Sequence, residues 1–353
     1  MAGLADLGIL TASRCGLDTF VGSSAGAINS SMLAAYAGDL ESGVGTLEQL
    51  WKGVQADDVF RTDVRSVGST GAKWAWDLTF GGALGGGDPK SLLDTAPLKT
   101  FLESNLPFDR LDEQLRSEAL HALALSSTDL TTADGVLFLH GQPEIRLWER
   151  RRWEVRRARI RAEHVMASSA IPVFFPAVEI EGRFYGDGSV RNTAPLSPAI
   201  NLGAERILAI SVREPTAPVH AEGPVPSPSI AQIAGVLLDA VMLDAIEVDL
   251  DHSMRVNRSV RSWRIPESAN QFRDVDVLWI QPTENFTELA SEFTHEIPGV
   301  IRYLMRGLGS EETITELASY LLFVPGFTSR LIEAGRADVA NARETIEEFF
   351  AQP

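Results

Sequence analysis

Apolar positions near the start of the chain change period twice within forty residues. Leu4, Leu7, Leu10 and Cys15 recur at helical intervals and stop at Gly16, which predicts an amphipathic helix over 4–15. LDTFV, residues 17–21, is rich in β-forming side chains and short enough for one buried strand. AGAINSSMLAAYA, residues 25–37, then returns to a helical pattern and ends at Gly38. Helix, strand, sharp turn and helix together make half of an α/β layer.

The pattern breaks over residues 54–93, where glycines surround Trp74, Trp76 and Phe80. A connection this long suits a lid-like insertion, with the three aromatics as lid or groove candidates. Regular patterning resumes with a buried strand over 119–130 and a hairpin partner over 135–140. Glu181-Gly182 reads as a hairpin turn, Pro195 as a residue of a helix first turn, Gly203 as a helix stop, and 206–212 as a strand. A Pro-rich loop over 215–228 leads to Ser229 and Gln232, an S-x-x-Q capping box ahead of a helix reaching about Asn257. One more strand is expected over 275–282, and helix from about Ile301. The expectation is a single α/β domain over 1–353, with a core in 1–213 and a mainly helical part in 229–353.

Composition narrows the function classes. The 353 residues are 44% hydrophobic and 22% charged, the profile of a folded chain long enough to bury a large core. The net charge of −17 disfavours nucleic acid, which requires a basic stripe. Against that acidity, residues 146–161 hold eight arginines: Arg146, Arg150, Arg151, Arg152, Arg156, Arg157, Arg159 and Arg161. They suit either a solvated face paired with the surplus carboxylates or contact with an anionic membrane surface. The one cysteine, Cys15, forms no internal disulfide, which points to a reducing, cytoplasmic setting. The opening residues lack the basic flank of a secretory signal. The richest apolar run, 233–243, is interrupted by Asp239 and reads as a core helix, not a membrane span. No cluster has metal-ligand spacing, and no cofactor is expected.

Candidate chemistry centres on Gly22-Ser23-Ser24-Ala25-Gly26, a G-x-S-x-G pentapeptide at the junction of the predicted strand and helix. The pattern alone is weak. Its setting is stronger, since a strained strand-to-helix turn projects a nucleophile and the helix N-terminus offers amides to a developing oxyanion. Serine needs a base, and none of His121, His140, His164, His220, His252 and His295 lies in a motif resembling a catalytic histidine loop. Ser24 also comes too early for an α/β-hydrolase, whose nucleophile follows several strands. Asp187, in Tyr185-Gly186-Asp187-Gly188, is the other candidate base; an ordinary turn aspartate is the alternative.

GSSAGAINS together with GDGSVRN resembles the patatin-like phospholipase family, in its bacterial branch. Further similar blocks are SLLDTAPL (91–98), SSTDLTTADG (126–135), ASSAIPVFFPAVEI (167–180) and NTAPLSPAINLGA (192–204), in order along the chain. The resemblance implies a three-layer fold with a central, mostly parallel sheet between helices. It implies that Ser24 is nucleophile and Asp187 base of a serine–aspartate dyad, with Gly22, Gly26 and Gly188 as motif glycines. It also implies phospholipase or lipid esterase activity through an acyl-enzyme on phospholipid or simpler ester substrates. Family members open with a strand and a G-G-G-x-R-G oxyanion loop, of which only Gly3 has a counterpart here; Ala2 stands where the arginine is expected. Three expectations follow: a true start upstream of Met1, donors from elsewhere with Ala25 and Gly3 as candidates, or a lipid-binding member with little turnover. A transacylase would pair its nucleophile with histidine, whereas position 23 is serine.

Overall fold

A computed structural model describes residues 1–11, 15–62, 91–212, 236, 245–263, 273–299 and 320–351. Its main sheet has six strands: β1 (Thr19–Gly22), β2 (Ala122–Asp129), β3 (Asp134–Gly141), β4 (Trp153–Arg157), β5 (Val178–Ile180) and β6 (Arg183–Asp187). Strands β7 (Arg206–Ile210) and β8 (Asp276–Ile280) form a separate parallel pair. The central strand is β2, and every one of its residues is buried. Its unbroken ALALSSTD sequence fits a strand covered on both faces and paired on both edges.

The sheet is mixed, which corrects the mostly parallel arrangement expected above. β1–β2 and β3–β4 are parallel, while β2–β3, β2–β6 and β5–β6 are antiparallel. Two tight hairpins cause this. Glu181 and Gly182 both adopt positive φ, 52° and 76°, the conformation of a two-residue turn whose twist matches the strands it joins. Such short connections can only join antiparallel neighbours.

Helices α1 (Ala2–Asp6), α2 (Ala25–Ala35) and α3 (Leu40–Gly53) pack with β1 into the main core. The expected helix over 4–15 is therefore cut to Ala2–Asp6. Gly8 turns left-handed, φ 64°, and Ile9 and Leu10 are buried in irregular chain instead of on a helical stripe. Asp39 caps α3, its carboxylate accepting from Ser42 N–H at 3.2 Å. From the far end of the sequence, α4 (Pro325–Asn341) returns to this corner. Its Val339 meets Gly3, and its Arg336 pairs with Asp6 and, at 2.8 Å, with Glu48. A further helix, α5 (Arg343–Ala351), follows it.

Trp74, Trp76, Phe80, the Pro-rich loop and the capping box at Ser229 lie outside the described residues. The later part of the expected helix ending near Asn257 appears as Ala245–Trp263, longer at its C-terminal end than expected. No helix among the described residues is long and apolar enough to cross a membrane.

Candidate active site

The register of β2 creates the site. β1 runs parallel to β2 and ends with Gly22 opposite Leu125, while β6 runs antiparallel along the same edge and ends with Asp187 opposite Ser127. The two strands thus arrive from opposite directions and stop one residue short of each other, at Ser126. Ser24 leaves one strand end and Asp187 closes the other, so residues 163 positions apart in sequence meet at one break in the sheet edge.

Ser24 takes φ 54° and ψ −129° as it turns from β1 into α2. For a serine this conformation is strained, as befits a residue held for function. What holds it is local. A Cβ on Gly22 would sit 2.3 Å from Gly26 O, so only glycine lets the helix start this close to the strand. Ser24 N–H is shared between Ser168 O at 3.1 Å and Ser168 Oγ at 3.2 Å. Gly26 and Ala27 N–H turn inward to Ser23 and Ser24 carbonyls at 2.8 Å. Among the described residues, Ala25 N–H makes no backbone hydrogen bond and stands at the positive end of the helix.

Asp187 is fully buried. Its Oδ1 accepts from Ser189 N–H at 2.8 Å, its N–H donates to Ala170 O at 3.0 Å, and its carbonyl accepts from the Thr128 hydroxyl at 2.8 Å. Oδ2 closes no hydrogen bond. Burial pushes the carboxyl up to about 6, against the pull of Ser189 and of the Ser24 hydroxyl, which bears on the same carboxylate. Ser24 and Asp187 thus lie near one another without a closed hydrogen bond between them, a contact of the kind that can tighten when substrate binds.

Ser24 opens on a cavity of about 1410 Å³, with Asp187 buried behind it. Ser23, Ser24, Ala25, Gly26 and Ser189 line one part of it, and apolar side chains such as Ile28, Leu50, Phe175 and Phe327 line much of the rest. Residues of β1 and of β7 both line it.

Other expected residues fall elsewhere. Gly3 lies within α1 against Val339 and does not line this cavity. His121 lines the cavity, but its Nε2 bonds Leu202 O at 3.2 Å. His140 pairs with Asp112 at 3.0 Å, and His164 receives Arg161 N–H at 3.2 Å; burial lowers the proton affinity of both. His220 lies outside the described residues. Within the arginine-rich segment, Arg152 and Arg159 pair with Asp134 and Asp112, and Arg156 holds Glu154 and the Tyr185 hydroxyl. Arg157 holds loop carbonyls of Gln142 and Pro143. Pairing with carboxylates therefore accounts for Arg152, Arg156 and Arg159, while Arg157 is held by backbone carbonyls. Sequence reasoning missed Ser168 and Ser189, whose positions inside the ASSAIP and GDGS blocks were the available signal.

Residues 1–200 match the family model described as Patatin-like phospholipase. No curated protein matches the chain.

Proposed function

The chain belongs to the patatin-like phospholipase family, hydrolases of lipid esters, and from that premise we propose that it is a serine acyl hydrolase working through Ser24 and Asp187. One observation carries this reading: the strained serine and the buried carboxylate meet at the break in the edge of β2, where the serine opens on a large, mainly apolar cavity. Asp187 accepts the Ser24 proton as the oxygen attacks the ester carbonyl, and the negative charge passes to the carbonyl oxygen. Collapse of that adduct breaks the ester bond, and Asp187 returns the proton to the leaving alcohol. Water, deprotonated by the same carboxylate, then releases the fatty acid and restores Ser24.

Ala25 N–H, at the positive end of α2, supports a role as oxyanion donor. A cavity of about 1410 Å³ lined largely by apolar side chains leaves room for an acyl chain. A fluorophosphonate probe is expected to label Ser24, and Ser24→Ala to abolish both labelling and hydrolysis of p-nitrophenyl esters. Turnover by Ser24→Ala at the wild-type rate sinks the assignment.

The second reading, a lipid binder with little turnover, draws on the position of Gly3, away from the cavity, which leaves Ala25 as the remaining candidate donor. Fatty-acid binding without serine labelling would favour it. Peripheral contact with an anionic membrane belongs to either reading and rests on Arg146, Arg150 and Arg151, which are exposed. Binding to phosphatidylserine vesicles should weaken with salt and with charge reversal of these three; salt-independent binding removes the idea.

A further inference from the structure

One short segment holds both halves of the candidate dyad by their backbone. Ser168, the last residue of the helix Ala162–Ser168, accepts the Ser24 N–H twice, through its carbonyl at 3.1 Å and its Oγ at 3.2 Å. Two residues on, the Ala170 carbonyl accepts the Asp187 N–H at 3.0 Å. We propose that Ser168 is a positioning residue for the nucleophile: its hydroxyl fixes the direction of the Ser24 N–H, and with it the approach of Ser24 Oγ to Asp187. The inference rests on Ser24 and Asp187 being nucleophile and base.

The role follows from the geometry of the shared donor. One N–H between two acceptors is a three-centre bond. With a single acceptor the N–H could swing about that oxygen; with two, in different directions, the plane of the Ser23–Ser24 peptide is fixed. That plane is where Ser24 needs holding, since its φ of 54° and ψ of −129° lie outside the regions serine prefers. The carbonyl half of the contact satisfies a group that the end of a helix leaves without a partner inside the helix, so any residue at 168 would supply it. The Oγ half depends on the side chain.

The segment that carries this hydroxyl is itself fixed. Ser168 is fully buried, and the winding of its helix continues through the turn, with Ser169 N–H donating to Val165 O at 3.0 Å and Ala170 N–H to Ala167 O at 3.4 Å. The helix packs against β2, β6 and α2, the elements that carry the site. The loops of nucleophile and base also touch directly, Ser23 Oγ to Ser189 Oγ at 3.2 Å, but through hydroxyls that rotate. The brace over 168–170 works on backbone amides instead. It also occupies the Ser24 N–H, which is then not open to a developing oxyanion and leaves that task to amides such as Ala25 N–H.

The test is steady-state hydrolysis of a p-nitrophenyl ester by Ser168→Ala and Ser168→Cys across pH. Ser168→Ala is expected to lower kcat about tenfold, with KM within about twofold of wild type. Ser168→Cys, close to serine in size but with a weakly accepting sulfur, should lose a similar factor, which a role in packing alone would not produce. In both variants Asp187 stays buried, so the acid limb of kcat/KM does not move toward the ordinary carboxylate range, as it would if the site loosened and admitted water. A kcat within about twofold of wild type in Ser168→Ala, a wild-type rate in Ser168→Cys, a rise in KM that accounts for the loss, or an acid limb moved downward overturns the positioning role. Those outcomes leave Ser24→Ala and Asp187→Asn inactive, whereas activity in either of these is the separate failure of the dyad itself.

Discussion

Asp187→Asn is expected to lose ester hydrolysis by ~10³-fold while becoming harder to unfold at neutral pH. The two effects have one origin. Burial raises the Asp187 carboxyl from 3.8 to about 6, because the charged form gives up water and gains no cation. Between about pH 4 and pH 6 the folded chain therefore holds a proton that the unfolded chain has released. Stability falls as pH rises through this window, and above 6 the full penalty stands, on the order of 3 kcal/mol. Asparagine keeps the oxygen that accepts Ser189 N–H and presents a neutral amide in the place of Oδ2, so the penalty disappears together with the base. Urea unfolding at pH 5 and pH 8 checks this: wild type loses stability over that range relative to Asp187→Asn, and the acid limb of its kcat/KM falls near pH 6. Equal pH dependence in the two proteins, or turnover by the variant at the wild-type rate, contradicts the account.

Much of this site was legible before any coordinates, because its strongest signals are local. A G-x-S-x-G at a strand-to-helix junction forces Ser24 into a turn that only flanking glycines permit, and Glu181-Gly182 fixes the hairpin that delivers Asp187. What was not legible is tertiary. Nothing in the spacing says that β1 and β6 share one edge of β2 and stop on either side of Ser126, which is what brings Ser24 to Asp187. The same limit explains the parallel sheet that became mixed. It explains the helix over 4–15 as well: Ile9 and Leu10 are buried outside any helix, a burial that helical spacing imitates. Gly3 shows a packing role that motif spacing does not reveal. Motif spacing offered it as an oxyanion donor, whereas its lack of a side chain serves the approach of α4 through Val339.

Glycines of the two motifs look alike in sequence, yet their substitution should divide them sharply. A Cβ on Gly188 would lie 2.2 Å from Ser126 O and 2.8 Å from Ser126 Cβ. Ser126 cannot retreat, because β2 is paired with β3 on its far side, with Ser126 opposite Leu137, and is completely buried. Gly188→Ala must therefore push the turn after β6 outward, taking with it Ser189 N–H and the carboxylate that this amide holds. A cost of about 3 kcal/mol or more is expected, at the upper end for overpacking against backbone. kcat should fall by at least ~10²-fold, as a displacement near 1 Å at the reacting groups warrants. Gly22→Ala meets the Gly26 carbonyl in the same way. Gly26→Ala is the contrast: no atom lies within 4 Å of its added Cβ, and alanine favours the helix by roughly 0.5–1 kcal/mol, so its melting temperature should hold or rise. Thermal unfolding of the three variants beside their ester hydrolysis separates the cases. A Gly188→Ala protein as stable and active as Gly26→Ala would mean that the strand ends at Ser126 are not where the dyad is held.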